Sequence, residues 1–100
     1  MDYPKRFEQT IDSVYSMEVD VSKWDCAREA PHWHLCEHGL RVGQIFVGSS
    51  AFTKLPSGVN NRIVNKAIEL TQTYASDIRE AYLYNKDLLI KVKSQNKKIR

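Results

Sequence analysis

The sequence predicts an α+β fold in which one long helix packs across a small antiparallel sheet of three or four strands, and short terminal helices are compatible with it. Apolar and polar residues alternate at every second position within 13–23 and again within 32–47, a pattern typical of half-buried strands. From 62 to 84 apolar residues recur at three- and four-residue steps, which is typical of an amphipathic helix. The 100 residues fit a single domain.

The N-terminal part divides into two segments. Residues 4–12 are compatible with a short helix, because Phe7 and Ile11 stand four positions apart, and equally with an irregular segment. Residues 13–23 favour a strand, because apolar side chains recur at alternate positions from Met17 onwards.

A β-hairpin is predicted next, with His38-Gly39 as its two-residue turn. Its first strand, 32–37, places three histidines and a cysteine at every second position through the turn, so that they share one face: His32, His34, Cys36 and His38. A regular ladder across this turn predicts four cross-strand pairs: Leu35 with Val42, Trp33 with Gln44, His34 with Gly43, and Cys36 with Arg41.

The rest of the chain predicts a short edge strand within 51–55 and then the long helix, with Asn60 or Asn61 as its N-cap. Apolar residues return within 88–92, as a second helix or an extension of the first. We therefore expect a single α+β domain over 1–85. The predicted core is formed by these residues: Met17, Val19, Val21, Trp33, Leu35, Val42, Phe46, Ile63, Ala67, Ile68, Tyr74 and Ile78.

Charge is unevenly distributed along the chain, whose net charge is +3. Residues 86–100, called the basic extension here, hold six basic residues and one acidic residue, a net charge of +5, which leaves −2 for the remainder. No apolar run approaches the ~18 residues that span a bilayer, and no apolar stretch follows the N-terminus. These features predict a cytoplasmic protein without a membrane partner. Two free thiols are then favoured at Cys26 and Cys36, and the alternative is a disulfide between them.

One family likeness rests on Pro31-His32-Trp33-His34, the hairpin after it, and the helix that ends Ile78-Arg79-Glu80-Ala81-Tyr82. Over roughly residues 13–85 the chain resembles the bacterial family known as domain of unknown function 4160. The resemblance implies a strand, a hairpin and a long helix in this order. It also implies membership of a small two-gene bacterial or phage module of the toxin–antitoxin type.

A metal site is the first chemical hypothesis for the histidine row. Imidazoles at alternate positions of a strand point the same way, and a thiolate would complete a zinc-compatible set from His32, His34, Cys36 and His38. The alternative is that the row makes structural hydrogen bonds or faces water. Apart from zinc, no cofactor is expected.

Catalysis is the second hypothesis. Either His32 or His34 is a candidate general base, with Arg41 across the hairpin as a cationic stabiliser. Such a protein would be a histidine-based or metal-dependent hydrolase acting on nucleic acid. The sequence holds no nucleophile elbow and no phosphate-binding glycine loop.

Interaction with a partner is the third hypothesis. Basic residues of the extension are candidates for contact with nucleic acid or an acidic partner: Lys91, Lys93, Lys97, Lys98 and Arg100. Leu83 and Tyr84 do not fit the same helix stripe as the core, so they are candidates for a protein partner or a homodimer. The sequence favours a non-enzymatic interaction or regulatory protein, with the hydrolase as the alternative.

Overall fold

A computed structural model describes residues 6–19, 30–54 and 58–98 of the chain. Within these ranges five strands are followed by two helices: β1 Glu8–Thr10, β2 Tyr15–Glu18, β3 His32–Glu37, β4 Leu40–Phe46, β5 Ala51–Lys54, α1 Asn61–Thr73 and α2 Ala75–Lys98. The predicted α+β class is confirmed, with one strand more than expected. None of the helices, within the described residues, combines the length and apolar character needed to cross a membrane.

The sheet is an antiparallel meander in which each strand pairs with its neighbours in sequence order, β1-β2-β3-β4-β5. The turn between β3 and β4 is His38-Gly39, as the sequence predicts. His38 has φ 49° and Gly39 has φ 80°, so both residues occupy the left-handed region that a tight hairpin of this kind requires. This turn makes β3 the central strand of the sheet, with β2 on one side and β4 on the other.

The predicted hairpin register is wrong beyond its first pairs. Cys36 faces Arg41 as expected, but Leu35 faces Gly43, because a bulge between these two pairs leaves Val42 as an extra residue on β4. The remaining pairs are displaced by one position: His34 with Gln44, Trp33 with Ile45, and His32 with Phe46. Ile45 consequently shares a face with Trp33, and Phe46 shares a face with the histidines.

The N-terminal segment is extended, where a short helix or an irregular segment was expected. Glu8–Thr10 pairs with β2, and the Val19 N–H donates to the Phe7 carbonyl oxygen at 3.0 Å. The i,i+4 spacing of Phe7 and Ile11 therefore serves a strand flanked by two half-buried side chains. Residues 20–23, which the sequence assigns to the next strand, lie outside the described residues.

The predicted helix is divided in two at Tyr74. Asn60 is its N-cap, and the Asn60 Oδ1 accepts a hydrogen bond from the Arg62 N–H at 2.7 Å. Near the end of α1 the Thr71 and Thr73 hydroxyls donate to carbonyl oxygens four residues earlier, at 2.7 and 2.9 Å. Such hydroxyls compete with the backbone ladder and bend helices, which accounts for the break.

The second helix then runs without interruption through position 85 to Lys98, so most of the basic extension is helical. Asn85 is 4% exposed inside the helix.

The hydrophobic core joins the sheet to the two helices. Its buried members are these: Met17, Val19, Trp33, Leu35, Ile45, Val47, Ile63, Ala67, Leu70, Ile78, Ala81 and Tyr82. Four predicted core residues are only half-buried, namely Val42, Phe46, Ile68 and Tyr74. The bulge explains the first two, and Val21 lies outside the described residues.

Trp33 connects the sheet to α1. Its ring is fully buried and stacks against Phe7 with centroids 6.0 Å apart. Its Nε1–H donates to the Thr71 Oγ1 at 2.8 Å, and that hydroxyl in turn donates to the Ala67 carbonyl oxygen. The indole N–H therefore has a partner inside the core, which a buried tryptophan requires.

We expect Thr71→Val to lower the free energy of unfolding by roughly 1–3 kcal/mol, because it leaves the buried indole N–H without an acceptor. Thr71→Ser keeps the hydroxyl and is the matched control, with a loss of under about 1 kcal/mol. Urea denaturation followed by tryptophan fluorescence measures both values. Equal stability of the Val variant and the wild type would contradict the assigned hydrogen bond.

Candidate functional site

The histidine row lies on β3 and is buried. His32, His34 and Cys36 share one face of the strand, at 1%, 5% and 1% exposure, while Trp33 and Leu35 face the opposite side. His38 is separate from them, since it lies exposed in the hairpin turn after the strand has ended. The row that the sequence predicts therefore contains three residues, and it does not face water.

His32 is enclosed by aromatic rings. Its ring centroid lies 5.1 Å from that of Tyr82 on α2 and 5.8 Å from that of Phe46 on β4. The His32 Nδ1 lies 2.8 Å from the Ala30 carbonyl oxygen. Because a carbonyl oxygen only accepts, Nδ1 carries the hydrogen of this bond. The tautomer of His32 is thus set by the backbone just before the strand.

His34 stands between two polar residues in the sheet register. Glu18 on β2 and Gln44 on β4 are its direct cross-strand partners, and directly opposed residues share a face. The His34 ring also packs against His32, edge to face, with centroids 5.1 Å apart. A polar row consequently crosses the three central strands beside the aromatic contacts of His32.

Cys36 is a buried free thiol. Burial raises its pKa to about 12, and the charge of Glu18 and a hydrogen bond to that carboxylate add to the effect. The reactive and metal-binding form of cysteine is the thiolate, which is scarce at such a pKa. Cys36 therefore behaves as a neutral, packed side chain at neutral pH.

The remaining site candidates fall into three groups. Arg41 is half-buried and directly opposes Cys36, one pair closer to the turn than Leu35. Leu83 and Tyr84 lie on α2 and are 44% and 36% exposed, as expected for contact residues. The basic candidates lie further along the chain: Lys91, Lys93, Lys97 and Lys98 belong to α2, and Arg100 lies outside the described residues.

The described residues contain no group of three or more histidine, cysteine, aspartate or glutamate side chains arranged to hold a metal ion. The zinc hypothesis names a set from which His38 is separated by the turn and in which Cys36 is a neutral thiol. The predicted zinc site thus stays a prediction.

Sequence reasoning missed the part of the site that α2 supplies. Tyr82 is fully buried against His32, and Asn85 is buried one helical turn further on. The signal is present in the spacing, because Ile78, Tyr82 and Asn85 recur at steps of four and three residues on one helix face. Asn85 is a polar residue within this stripe, so hydrophobic spacing alone does not identify position 85 as buried.

Comparisons with known proteins give no match to a family model, a curated protein or a solved structure. The resemblance to domain of unknown function 4160 therefore stays a prediction.

We expect His32→Ala to lower the free energy of unfolding by roughly 2–4 kcal/mol, because it leaves a cavity between Phe46 and Tyr82. His38→Ala is the matched control at an exposed position, with a change within about 0.5 kcal/mol. Thermal and urea denaturation measure both. A His32→Ala protein as stable as the control would mean that the histidine face is open to water.

The thiol of Cys36 should resist alkylation in the folded protein. In a Cys26→Ser variant only the Cys36 thiol remains, and its labelling by iodoacetamide at pH 8 should be at least about a hundredfold slower than in urea. Because burial raises the pKa to about 12, the rate should still be rising as pH increases above 9. Fast labelling at pH 8 would contradict a neutral buried thiol.

Proposed function

We propose that this protein is a non-enzymatic interaction protein that regulates a partner in a small bacterial or phage module of the toxin–antitoxin type. One observation carries the proposal: α2 presents large apolar side chains to solvent. Leu83, Tyr84 and Ile90 are 44%, 36% and 40% exposed on this helix. Clustered exposed apolar residues are characteristic of surfaces that bind other proteins.

The exposed apolar residues form a recognisable surface. Leu83 and Ile90 are seven residues apart, two helical turns, so they lie on the same side of α2. Complete burial of a leucine or isoleucine side chain contributes roughly 1.5–3 kcal/mol. Leu83 and Ile90 are 44% and 40% exposed, so a partner helix or groove that covers them gains part of that contribution at each residue.

The length of α2 makes this surface accessible. Its 24 residues span roughly 36 Å. The molecule measures 50 × 23 × 23 Å, so its long axis is about twice its other two dimensions. The helix residues after Asn85 include exposed Ile90 and Lys91.

The buried histidine face supports a non-enzymatic function. A general base must come within hydrogen-bond reach of the proton it removes. His32 and His34 are covered almost completely, with Tyr82 against the first of them. Stabilisation of the fold is thus the role that their contacts favour, and a histidine-based or metal-dependent nuclease receives less support.

The regulatory context rests on the family resemblance of Pro31-His32-Trp33-His34 and the elements that follow it. The partner class is therefore a protein encoded beside this chain, and the basic extension gives it a second contact surface for an acidic molecule.

We expect the full chain, used as bait in a lysate of its source organism, to retain a specific protein that Leu83→Asp/Ile90→Asp no longer retains. Each aspartate places a charge in the exposed apolar surface, which removes the burial that anchors the partner. Leu40→Asp is the matched control, because Leu40 is 72% exposed at the hairpin, away from α2. It should retain the partner like wild type.

The same preparation should cleave neither RNA nor DNA, with or without zinc or manganese. Cleavage of RNA or DNA by the wild type that is lost in a folded His34→Ala variant would contradict the proposal and favour the hydrolase. Equal retention of the partner by the wild type and the Leu83→Asp/Ile90→Asp variant would remove α2 from the interaction.

A further inference from the structure

The spacing of the buried residues of α2 continues toward the C-terminal end of this helix. Ile78, Tyr82 and Asn85 are 0%, 0% and 4% exposed, at steps of four and three residues. The same steps lead next to Leu89 and Val92. Leu89 is only half-buried, so the stripe passes from the protein interior to a partly open position within one helical turn. This four–three spacing is the pattern by which two helices pack along their length.

A row of lysines accompanies this stripe. Lys86, Lys93 and Lys97 stand seven and four residues apart, which places them on one side of the helix. Lys86 and Lys93 directly follow Asn85 and Val92, so they occupy the flanking positions of the four–three pattern. In paired helices these flanking positions select the partner through charge.

The basic extension carries +5, with Asp87 as its single acidic residue. A second copy of this chain would bring the same charge against it, which disfavours pairing. Nucleic acid would match the charge, but it makes no use of the apolar stripe beside the lysine row. A helix that combines an apolar stripe with flanking carboxylates matches both features.

We infer that the basic extension binds an amphipathic helix of an acidic partner protein, packed along the stripe of Leu89 and Val92 and paired with the lysine row. This inference rests on the proposed function and names the chemistry of the partner surface. Leu83 and Ile90 lie on the other side of the lysine row and enlarge the apolar contact.

Two synthetic peptides of about 28 residues test the inference, both with leucine at the four–three positions. One has glutamate at the flanking positions, and the other has lysine there. A third peptide has the composition of the acidic peptide in scrambled order. Fluorescence anisotropy with the full chain should show binding of the acidic peptide, at least about tenfold weaker binding of the scrambled one, and none of the basic one. The affinity should fall as salt rises.

Charge reversal provides the decisive variant. Lys86→Glu/Lys93→Glu should weaken binding of the acidic peptide by about tenfold and allow the basic peptide to bind. Arg62→Glu/Lys66→Glu is the matched control, because it makes the same change of net charge at exposed positions of α1, away from the lysine row in the sequence. The control should bind the acidic peptide like wild type. Val92→Asp tests the stripe and should weaken binding by at least about tenfold.

Three outcomes would overturn the inference. Sedimentation that shows a dimer dissociated by Val92→Asp would assign the stripe to a second copy. Random-sequence duplex DNA that displaces the acidic peptide, with an affinity unchanged by Val92→Asp, would assign the basic extension to nucleic acid. A chain that binds no acidic peptide while Leu83→Asp/Ile90→Asp still abolishes partner capture would refute the acidic helix and leave the proposed function intact.

Discussion

The packing of β3 is the constraint on which the rest of this structure depends. Two neighbouring residues of that strand are held by different helices: Trp33 by a hydrogen bond to Thr71 of α1, and His32 by ring contact with Tyr82 of α2. Because successive residues of a strand point to opposite faces, the strand is buried on both sides, and five of its six residues are closed to solvent. The position of each helix is thereby tied to a single adjacent pair of side chains.

This double burial explains why the sequence predicted the two faces of β3 better than their environments. Alternation correctly separates His32 and His34 from Trp33 and Leu35, since it depends only on the period of a strand. Alternation says nothing about what covers each face. Histidines are compatible with water or with a packed polar interior, and the cover supplied by Tyr82 comes from a residue about fifty positions later in the chain.

The boundaries of the helices and strands likewise include some that local sequence predicts and some that depend on contacts between distant residues. The hairpin turn, the Asn60 cap and the helical periodicity are local features, and all three were predictable from residue type and spacing. The bulge at Val42 and the break at Tyr74 were not. The bulge depends on which register gives the better contacts across the sheet, and the break depends on threonine hydroxyls choosing carbonyl partners inside a folded helix.

The extra residue in β4 has a consequence for the length of this strand. The ladder between β3 and β4 requires one residue fewer than β4 provides, and Val42 is the residue that it leaves over. A chain without Val42 would keep Ile45 opposite Trp33 and would have no bulge in β4. A chain that paired Val42 with Leu35 in a regular ladder would instead place Gln44 opposite Trp33. The number of residues in β4, more than their hydrophobicity, thus decides which residues of β4 lie opposite which residues of β3.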